Sequence, residues 1–297
     1  MSYAVLSCDL DTVDRHLQGY GFEGLPPCDL IYRAALPRLL ELFDELGVPG
    51  VLFVIGRDAE AQQDLLRRTV GAGHEVASHS LTHPQPFSTL GDGELREELD
   101  GSRRRLSAAT GGEVIGFRAP AWDVDRRVLR MVRETGYRYD ASIFPTPAIL
   151  ASRLATYRRG TGKRLMLGME MLGHAFAPSW PHVLHDKTGV LAEFPIAVTR
   201  WLRFPIYHTF SFFVSERRFR RNLEALLRSS LPVFYEFHAA DLLDLHHDAV
   251  DPRMERHPGM REPLARKRTL LRETLRAIAS ARPVTTYRAA LESGAWN

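Results

Sequence analysis

The segment HSLTH places two histidines, His79 and His83, four residues apart, between a short apolar run and a proline. Two imidazoles close together on one stretch of chain could share a divalent metal ion. They could equally be ordinary polar residues on a helix or turn. The pair therefore predicts a metal site only if the rest of the chain supplies further ligands, an acid and a base.

Further polar residues lie where predicted strands end. Six of them occupy such positions: Asp9, Asp11, His79, Arg118, Asp140 and His238. In parallel β/α folds the carboxyl ends of the strands meet on one side of the sheet, and ligands bind there. We therefore expect these six side chains to converge on one site.

The residue types in this set suit one kind of chemistry. Two histidines and one carboxylate can hold a divalent cation such as zinc and leave positions open for water and substrate. The ion would lower the pKa of a bound water from about 15.7 to about 7. A second carboxylate could accept the water's proton, and a separate histidine could protonate a leaving amine. An arginine beside the carboxylate would keep it ionised. The set predicts hydrolysis of an amide.

The elements that must position these residues alternate along the chain. YAVLSCD (3–9) and GVLFVIG (50–56) predict buried strands, and between them RAALPRLLELFDELG predicts a helix ending at Gly47. Similar strand and helix pairs continue through VFYEFH (233–238). This repeat predicts parallel β/α units, arranged as a barrel or as a doubly wound sheet.

Residues 145–213 break this rhythm with a long segment rich in Pro, Trp, Phe and Met. A segment of this length and apolarity should fold over something instead of only connecting two elements. We expect a lid or substrate wall, in which Trp201 and Arg203 bind an apolar or anionic part of the substrate. A small satellite core that only closes the fold is the alternative.

Composition indicates a globular protein, with 44% hydrophobic and 25% charged residues. Residues 151–297 carry 23 Lys and Arg against 14 Asp and Glu, which could attract an anionic ligand or an acidic membrane surface. The basic clusters contain no nucleic-acid-binding motif, so we expect no nucleic-acid partner. We expect free thiols at Cys8 and Cys28. The sequence shows no signal-peptide or membrane-spanning pattern, so we expect a cytoplasmic protein.

The ordered motifs CDLD, HSLTH, RAPAW and a late FH resemble the polysaccharide deacetylases of the NodB-homology class, carbohydrate esterase family 4. The resemblance extends over most of residues 3–240. It implies an α/β fold, a distorted (β/α)7 barrel, formed by residues 1–297 as a single domain that carries the 145–213 insertion.

The resemblance also implies a role for each site residue. The metal ligands would be Asp11, His79 and His83, with zinc the expected ion. Asp9 would be the catalytic base with Arg118 as its partner, and His238 the general acid with Asp140 as an acidic partner. Pro120 and Trp122 would form the pocket wall. One departure leaves the roles of the two aspartates open, because Leu10 separates them where many family members have adjacent aspartates.

We expect a metal-dependent hydrolase that removes an acetyl or formyl group from an amino sugar. The substrate would be a small molecule or a lipid-phosphate-linked precursor of a cell-envelope glycan, met through peripheral contact at the inner membrane face. One alternative is hydrolysis of a non-sugar amide or cyclic imide on the same scaffold. The other is a catalytically silent, metal-containing binding protein. The sequence does not indicate the oligomeric state.

Overall fold

A computed structural model describes residues 2–148, 174–186 and 189–294. Residues 149–173 and 187–188 of the predicted insertion, and residues 295–297 of the predicted single domain, lie outside the described part. No helix in the described residues is long and apolar enough to cross a lipid bilayer. Cys8 and Cys28 are both free thiols, as predicted.

In the described residues nine strands form one sheet: β1 Ala4–Asp9, β2 Val51–Val54, β3 Glu75–Ser78, β4 Gly116–Phe117, β5 Tyr139–Asp140, β6 His182–Asp186, β7 Gly189–Glu193, β8 Val233–His238 and β9 Val284–Thr285. Their order is β6-β7-β5-β4-β3-β2-β1-β8, and β9 also pairs with β1. Every pair is parallel except β6 with β7. The sheet curls into part of a barrel. The predicted parallel β/α repeat is confirmed.

Helices connect these parallel strands. Their bounds are α1 Val13–Gly19, α2 Leu36–Leu46, α3 Gln63–Gly71, α4 Asp92–Arg96, α5 Ser102–Thr110, α6 Arg126–Glu134, α7 Glu216–Leu227, α8 Leu264–Ala281 and α9 Tyr287–Glu292. A π-helical turn at Ile31–Ala35 leads into α2, and another at Glu97–Gly101 joins α4 to α5. Gly47 ends α2 in the left-handed conformation, with φ of 62°. This is the position that glycine favours after a helix, because it has no Cβ to clash.

Side chains on β1 alternate between two buried layers. Leu6 and Cys8 pack in the large core between the sheet and the helices, whereas Val5 faces a second core inside the curl, in which six of the thirteen buried residues are aromatic. Strand side chains alternate with a period of two, so Ser7 and Asp9 share the inner face with Val5. The fold thereby directs the last residue of β1 toward the interior of the curled sheet.

Candidate metal and catalytic site

The site lies at the carboxyl ends of the central strands. Asp9 is the last residue of β1 and pairs in register with His238, the last residue of the neighbouring β8. His79 directly follows β3, and Arg118 directly follows β4. Adjacent parallel strands therefore bring together residues that are far apart in the sequence, as the strand-end pattern predicted.

Three of the predicted residues form a compact cluster. Asp11 Oδ1 lies 3.1 Å from His79 Nε2 and 3.2 Å from His83 Nε2. All three residues are buried, and their ligand atoms lie close enough together to hold one metal ion. Burial alone would raise the pKa of Asp11, but His83 and His79 hold it well below its usual range, so the carboxylate is ionised.

Neighbouring groups orient both imidazoles. His79 Nδ1 lies 2.8 Å from the carbonyl oxygen of Arg118. A proton donated there leaves Nε2 unprotonated and directed toward Asp11, which is the arrangement that metal-binding histidines adopt. The backbone of His83 is left-handed, with φ of 60°, and its N–H donates to Ser80 Oγ at 3.0 Å. This strained turn brings His83 back beside His79.

Two ligand atoms of this cluster support metal binding. Asp11 Oδ1 and His83 Nε2 are buried and have no hydrogen-bond partner among the described residues. Buried polar atoms seldom lack a partner, because the cost of removing them from water is then not offset. A divalent cation would be such a partner for both atoms. The donor set of one carboxylate and two imidazoles also suits zinc.

Asp9 meets a different partner. Arg118 is fully buried, and its Nη1 donates to Asp9 Oδ1 at 2.5 Å. The remaining guanidinium groups donate to Ala141 O at 2.9 Å and to Ser7 Oγ at 3.0 Å, and the guanidinium carbon lies 4.0 Å from the centre of the Phe53 ring. The other oxygen of Asp9, Oδ2, lies 3.8 Å from His79 Nε2. One carboxylate oxygen is thus held by arginine while the second faces the metal cluster.

His238 lies on the other side of Asp11. Its Nε2 is 3.9 Å from Asp11 Oδ2, and its Nδ1 is 3.3 Å from Glu236 Oε1 and 3.3 Å from Thr209 Oγ1. Burial disfavours the imidazolium, but Glu236, Asp11 and Asp9 outweigh it and raise the pKa of His238 to about 9. Charged His238 therefore has a proton on Nε2 available for donation beside the cluster.

Sequence reasoning missed Glu236. It is fully buried, and burial raises its pKa to about 7. It precedes His238 by two residues on β8, so both side chains lie on the same face of the strand. The signal was present in VFYEFH, where an acidic residue interrupts an apolar strand in phase with the histidine.

The structure places Asp140 elsewhere. Its carboxylate accepts hydrogen bonds from Ser142 Oγ at 2.7 Å and from Ser142 N at 2.9 Å, and it lies beside Glu193. Ser142 Oγ in turn accepts from the N–H of Ala119 at 2.8 Å. Among the described contacts, the carboxylates beside the His238 ring belong to Glu236 and Asp11. The geometry gives Asp140 a place in positioning the RAPAW loop.

Of the two predicted wall residues, Trp122 lies beside His238. Pro120 is buried, and Trp122 has a left-handed backbone with φ of 53°. The Trp122 ring centre lies 6.3 Å from that of His238 and 5.5 Å from that of Tyr207. Both ring pairs are edge-on, so Trp122 stands beside the general-acid candidate as a wall.

Trp201 and Arg203 lie in the described part of the insertion. Their described contacts are with other residues of the insertion and not with the metal cluster. Trp201 is 84% exposed. Arg203 Nη1 donates to the carbonyl oxygens of Ala177 at 2.7 Å and Pro145 at 3.1 Å. Arg203 Nη2 donates to the carbonyl oxygen of Phe176 at 3.3 Å. These contacts favour a structural role for Arg203, which ties together separate stretches of the insertion.

Part of the chain is similar in sequence to known proteins. The sequence model of the family described as Polysaccharide deacetylase matches residues 26–139. The peptidoglycan deacetylase of Helicobacter pylori is 30% identical over 141 residues, which are 46% of this chain and 47% of that protein. The chain thus matches about half the length of this curated relative.

Solved structures share the fold over nearly the whole chain. A Mycobacterium smegmatis protein assigned to the polysaccharide deacetylases superposes with a TM-score of 0.61 and 18% identity, covering 98% of this chain and 88% of the other. Puue allantoinase gives a TM-score of 0.58 and 15% identity, covering 96% and 87%. These likenesses confirm the predicted distorted (β/α)7 barrel. The family model over residues 26–139 and the partial sequence relatives show that the chain is similar to polysaccharide deacetylases.

Proposed function

We propose that this protein is a metal-dependent hydrolase that removes an N-acyl group, acetyl or formyl, from an amino sugar. The observation that carries the proposal is the buried cluster of Asp11, His79 and His83, with unpartnered ligand atoms, beside both an arginine-held carboxylate and a histidine. A protein that only bound a metal would need neither the base nor the acid.

The side chains divide the reaction between them. Asp11, His79 and His83 would hold a divalent ion, with zinc expected, and the bound ion supplies Lewis acidity and lowers the pKa of water. Asp9 Oδ2 accepts the proton of the attacking water while Arg118 holds Oδ1 in place. Attack on the acyl carbonyl forms the new C–O bond.

The leaving group needs a proton as the C–N bond breaks. His238 Nε2 lies near Asp11 and donates this proton to the amine nitrogen. Glu236 lies beside Nδ1 on the far edge of the same ring, where it stabilises the imidazolium and fixes the ring's orientation. Glu236 is therefore a positioning residue in this scheme.

The similar proteins and the position of Trp122 support the proposed substrate class. The relative named above is a peptidoglycan deacetylase, and an aromatic wall such as Trp122 suits the face of a sugar ring. A lipid-phosphate-linked amino sugar, met by a cytoplasmic protein at the inner membrane face, is the finer proposal. The excess of Lys and Arg in residues 151–297 supports it, because those residues can attract a phosphate.

Hydrolysis of a non-sugar amide or cyclic imide is the second candidate. The same base and acid would serve that reaction, and the chain shares its fold with an allantoinase. The sequence feature that favours this second candidate is the separation of Asp9 and Asp11 by Leu10, where many polysaccharide deacetylases have two adjacent aspartates.

The deciding experiment is a mass-spectrometric screen with purified protein. Acetylated and formylated amino sugars, free and lipid-linked, are compared with a cyclic imide and with allantoin, and the Asp9→Asn variant serves as the blank. We expect loss of the acyl mass from at least one amino sugar. Turnover of allantoin or the imide alone would favour the second candidate, and no turnover of any compound by metal-loaded protein would favour the silent binding protein.

A further inference from the structure

The described part of the insertion contains a hairpin with an exposed apolar tip. Val198 and Pro205 form its antiparallel bridge, and the N–H of Thr199 donates to Phe204 O at 3.0 Å. At the tip, Trp201 is 84% and Leu202 is 86% exposed. Single exposed apolar residues are ordinary, but two adjacent large ones held at the end of a hydrogen-bonded hairpin form a surface feature.

Two more exposed aromatic residues adjoin this hairpin. Phe176 is 65% exposed, and its carbonyl oxygen lies 3.3 Å from the Arg203 guanidinium of the hairpin. Phe213 is 62% exposed and is linked to the hairpin through Phe210, whose ring centre lies 6.1 Å from that of Phe213. The Phe210 ring also lies 5.2 Å from Phe204. We call the four exposed residues the hairpin patch; they are Phe176, Trp201, Leu202 and Phe213.

Cations border the hairpin patch. The guanidinium of Arg218 lies 5.5 Å from the centre of the Phe204 ring, which places the first turn of α7 against the hairpin. Arg217 and Arg221 lie four residues apart on the same side of this helix, and both are exposed. Arg200 lies 5.2 Å from the Trp201 ring.

These arginines are available to a partner. The carboxylates of α7 are engaged elsewhere, Glu216 with Arg220 and Glu224 with Arg228. Within the described residues, four exposed arginines of the hairpin and α7 form no ion pair: Arg200, Arg217, Arg218 and Arg221. In the described part of the chain, this surface therefore combines apolar side chains with positive charge that no described carboxylate neutralises.

We propose that the hairpin patch, with Arg200, Arg217 and Arg221, docks the protein on a bilayer surface that contains anionic phospholipid. Trp and Leu side chains favour the boundary between headgroups and acyl chains. Arginine stems can lie along that boundary while their guanidinium groups pair with lipid phosphates. A second copy of the chain is a poorer occupant, because a symmetric contact would bring the same arginines against each other.

The docking surface connects to the active site, and this step rests on the proposed function. The Tyr207 ring lies 5.8 Å from Phe210 and 5.5 Å from Trp122, which itself stands beside His238. A protein docked through the hairpin patch would hold this aromatic wall close to the lipid headgroups. That placement suits a substrate whose sugar projects from a lipid anchor.

The test is co-sedimentation of the full chain with vesicles at low salt. One set contains phosphatidylcholine alone, and the other includes phosphatidylglycerol at about one quarter of the lipid. We expect Arg217→Gln/Arg221→Gln to weaken binding to anionic vesicles by about fivefold per arginine. We expect Trp201→Ala/Leu202→Ala to weaken binding to both sets. Arg68→Gln/Arg130→Gln removes the same charge from exposed sites on other helices and should leave binding unchanged.

The melting temperature and light scattering complete the test. All these positions are exposed, so the variants should melt like the parent protein. Docking is overturned if the parent does not bind anionic vesicles, if control and patch variants bind alike, or if light scattering shows that the patch pairs two copies instead. Vesicle binding without deacylation of any amino sugar would leave docking intact and reject the proposed function.

Discussion

Asp9 and Asp11 lie two residues apart at the end of β1, yet they meet different partners. Asp11 Oδ1 lies within 3.2 Å of two imidazole nitrogens, whereas Asp9 Oδ1 is held by Arg118. An oxygen that already accepts a strong hydrogen bond from arginine is a poor metal ligand, while the free Oδ2 of Asp9 can take a proton. The contacts thus support Asp11 as ligand and Asp9 as base, a choice that the CDLD motif left open.

The base role predicts the behaviour of Asp9→Asn. The amide is nearly isosteric but cannot accept the water's proton, so turnover should fall by about 10²–10⁴-fold while bound metal is unchanged. Turnover of the identified substrate and elemental analysis measure the two quantities. Asp44→Asn, an exposed change on α2, is the control. Near-normal turnover in Asp9→Asn, or a parallel loss of metal, would contradict the assignment.

The positioning role predicts a selective defect in Glu236→Gln. Losing the carboxylate beside Nδ1 should lower kcat by about 10²-fold, because the imidazolium loses its stabilising charge, with KM and metal content unchanged. The matched control is Glu75→Gln, a second buried carboxylate, which hydrogen-bonds Tyr139 instead of the site. Equal kcat losses in both variants would reduce Glu236 to a structural residue.

At the scale of secondary-structure elements, the sequence predicts helices and strands whose apolar residues recur at a regular spacing within the element itself. The spacing of Leu36, Leu39 and Phe43 predicted α2, and the three residues are buried as expected. The local sequence pattern does not predict β6, because an antiparallel edge strand depends on pairing with β7 more than on its own composition. β4 and β5 are short strands of two residues each.

Close packing inside the curl predicts the effect of a change in β4. A Cβ at Gly116 would lie 1.9 Å from Tyr139 Cζ, so Gly116→Ala forces a buried ring to move. We expect a loss of about 1–3 kcal/mol in unfolding free energy. Gly112→Ala, where no atom lies within 4 Å of the added carbon, should be nearly neutral. Chemical denaturation compares the two, and equal stabilities would refute the packing argument.

The contacts of Arg203 predict a structural defect when it is removed. Arg203→Ala deletes hydrogen bonds to carbonyl oxygens of the insertion and should lower stability by about 1–3 kcal/mol. Arg200→Ala removes an equally charged but exposed neighbour and should not. Thermal unfolding measures both. If Arg203→Ala melts normally but loses activity only on the native substrate, the substrate-binding role first predicted for this arginine would be supported instead.

At the scale of the whole molecule, the fold explains why widely separated motifs make one site. Parallel strands bring Asp9, His79, Arg118 and His238 to the same end of the curled sheet, and the order of the motifs was enough to predict this convergence. The partner of His238 was harder to predict. Glu236, which lies beside His238, is a single acidic residue within an otherwise apolar strand. Asp140 also lies at a strand end, but its carboxylate accepts a hydrogen bond from Ser142 instead.

The central claim is that Asp11, His79 and His83 hold one divalent ion, and elemental analysis of the purified protein tests it most directly. We predict about one equivalent of divalent metal per chain for the parent and nearly none for His79→Ala/His83→Ala, because a single carboxylate remains. The control His246→Ala/His247→Ala removes two exposed histidines and should keep the metal. Full metal retention by His79→Ala/His83→Ala would contradict the account.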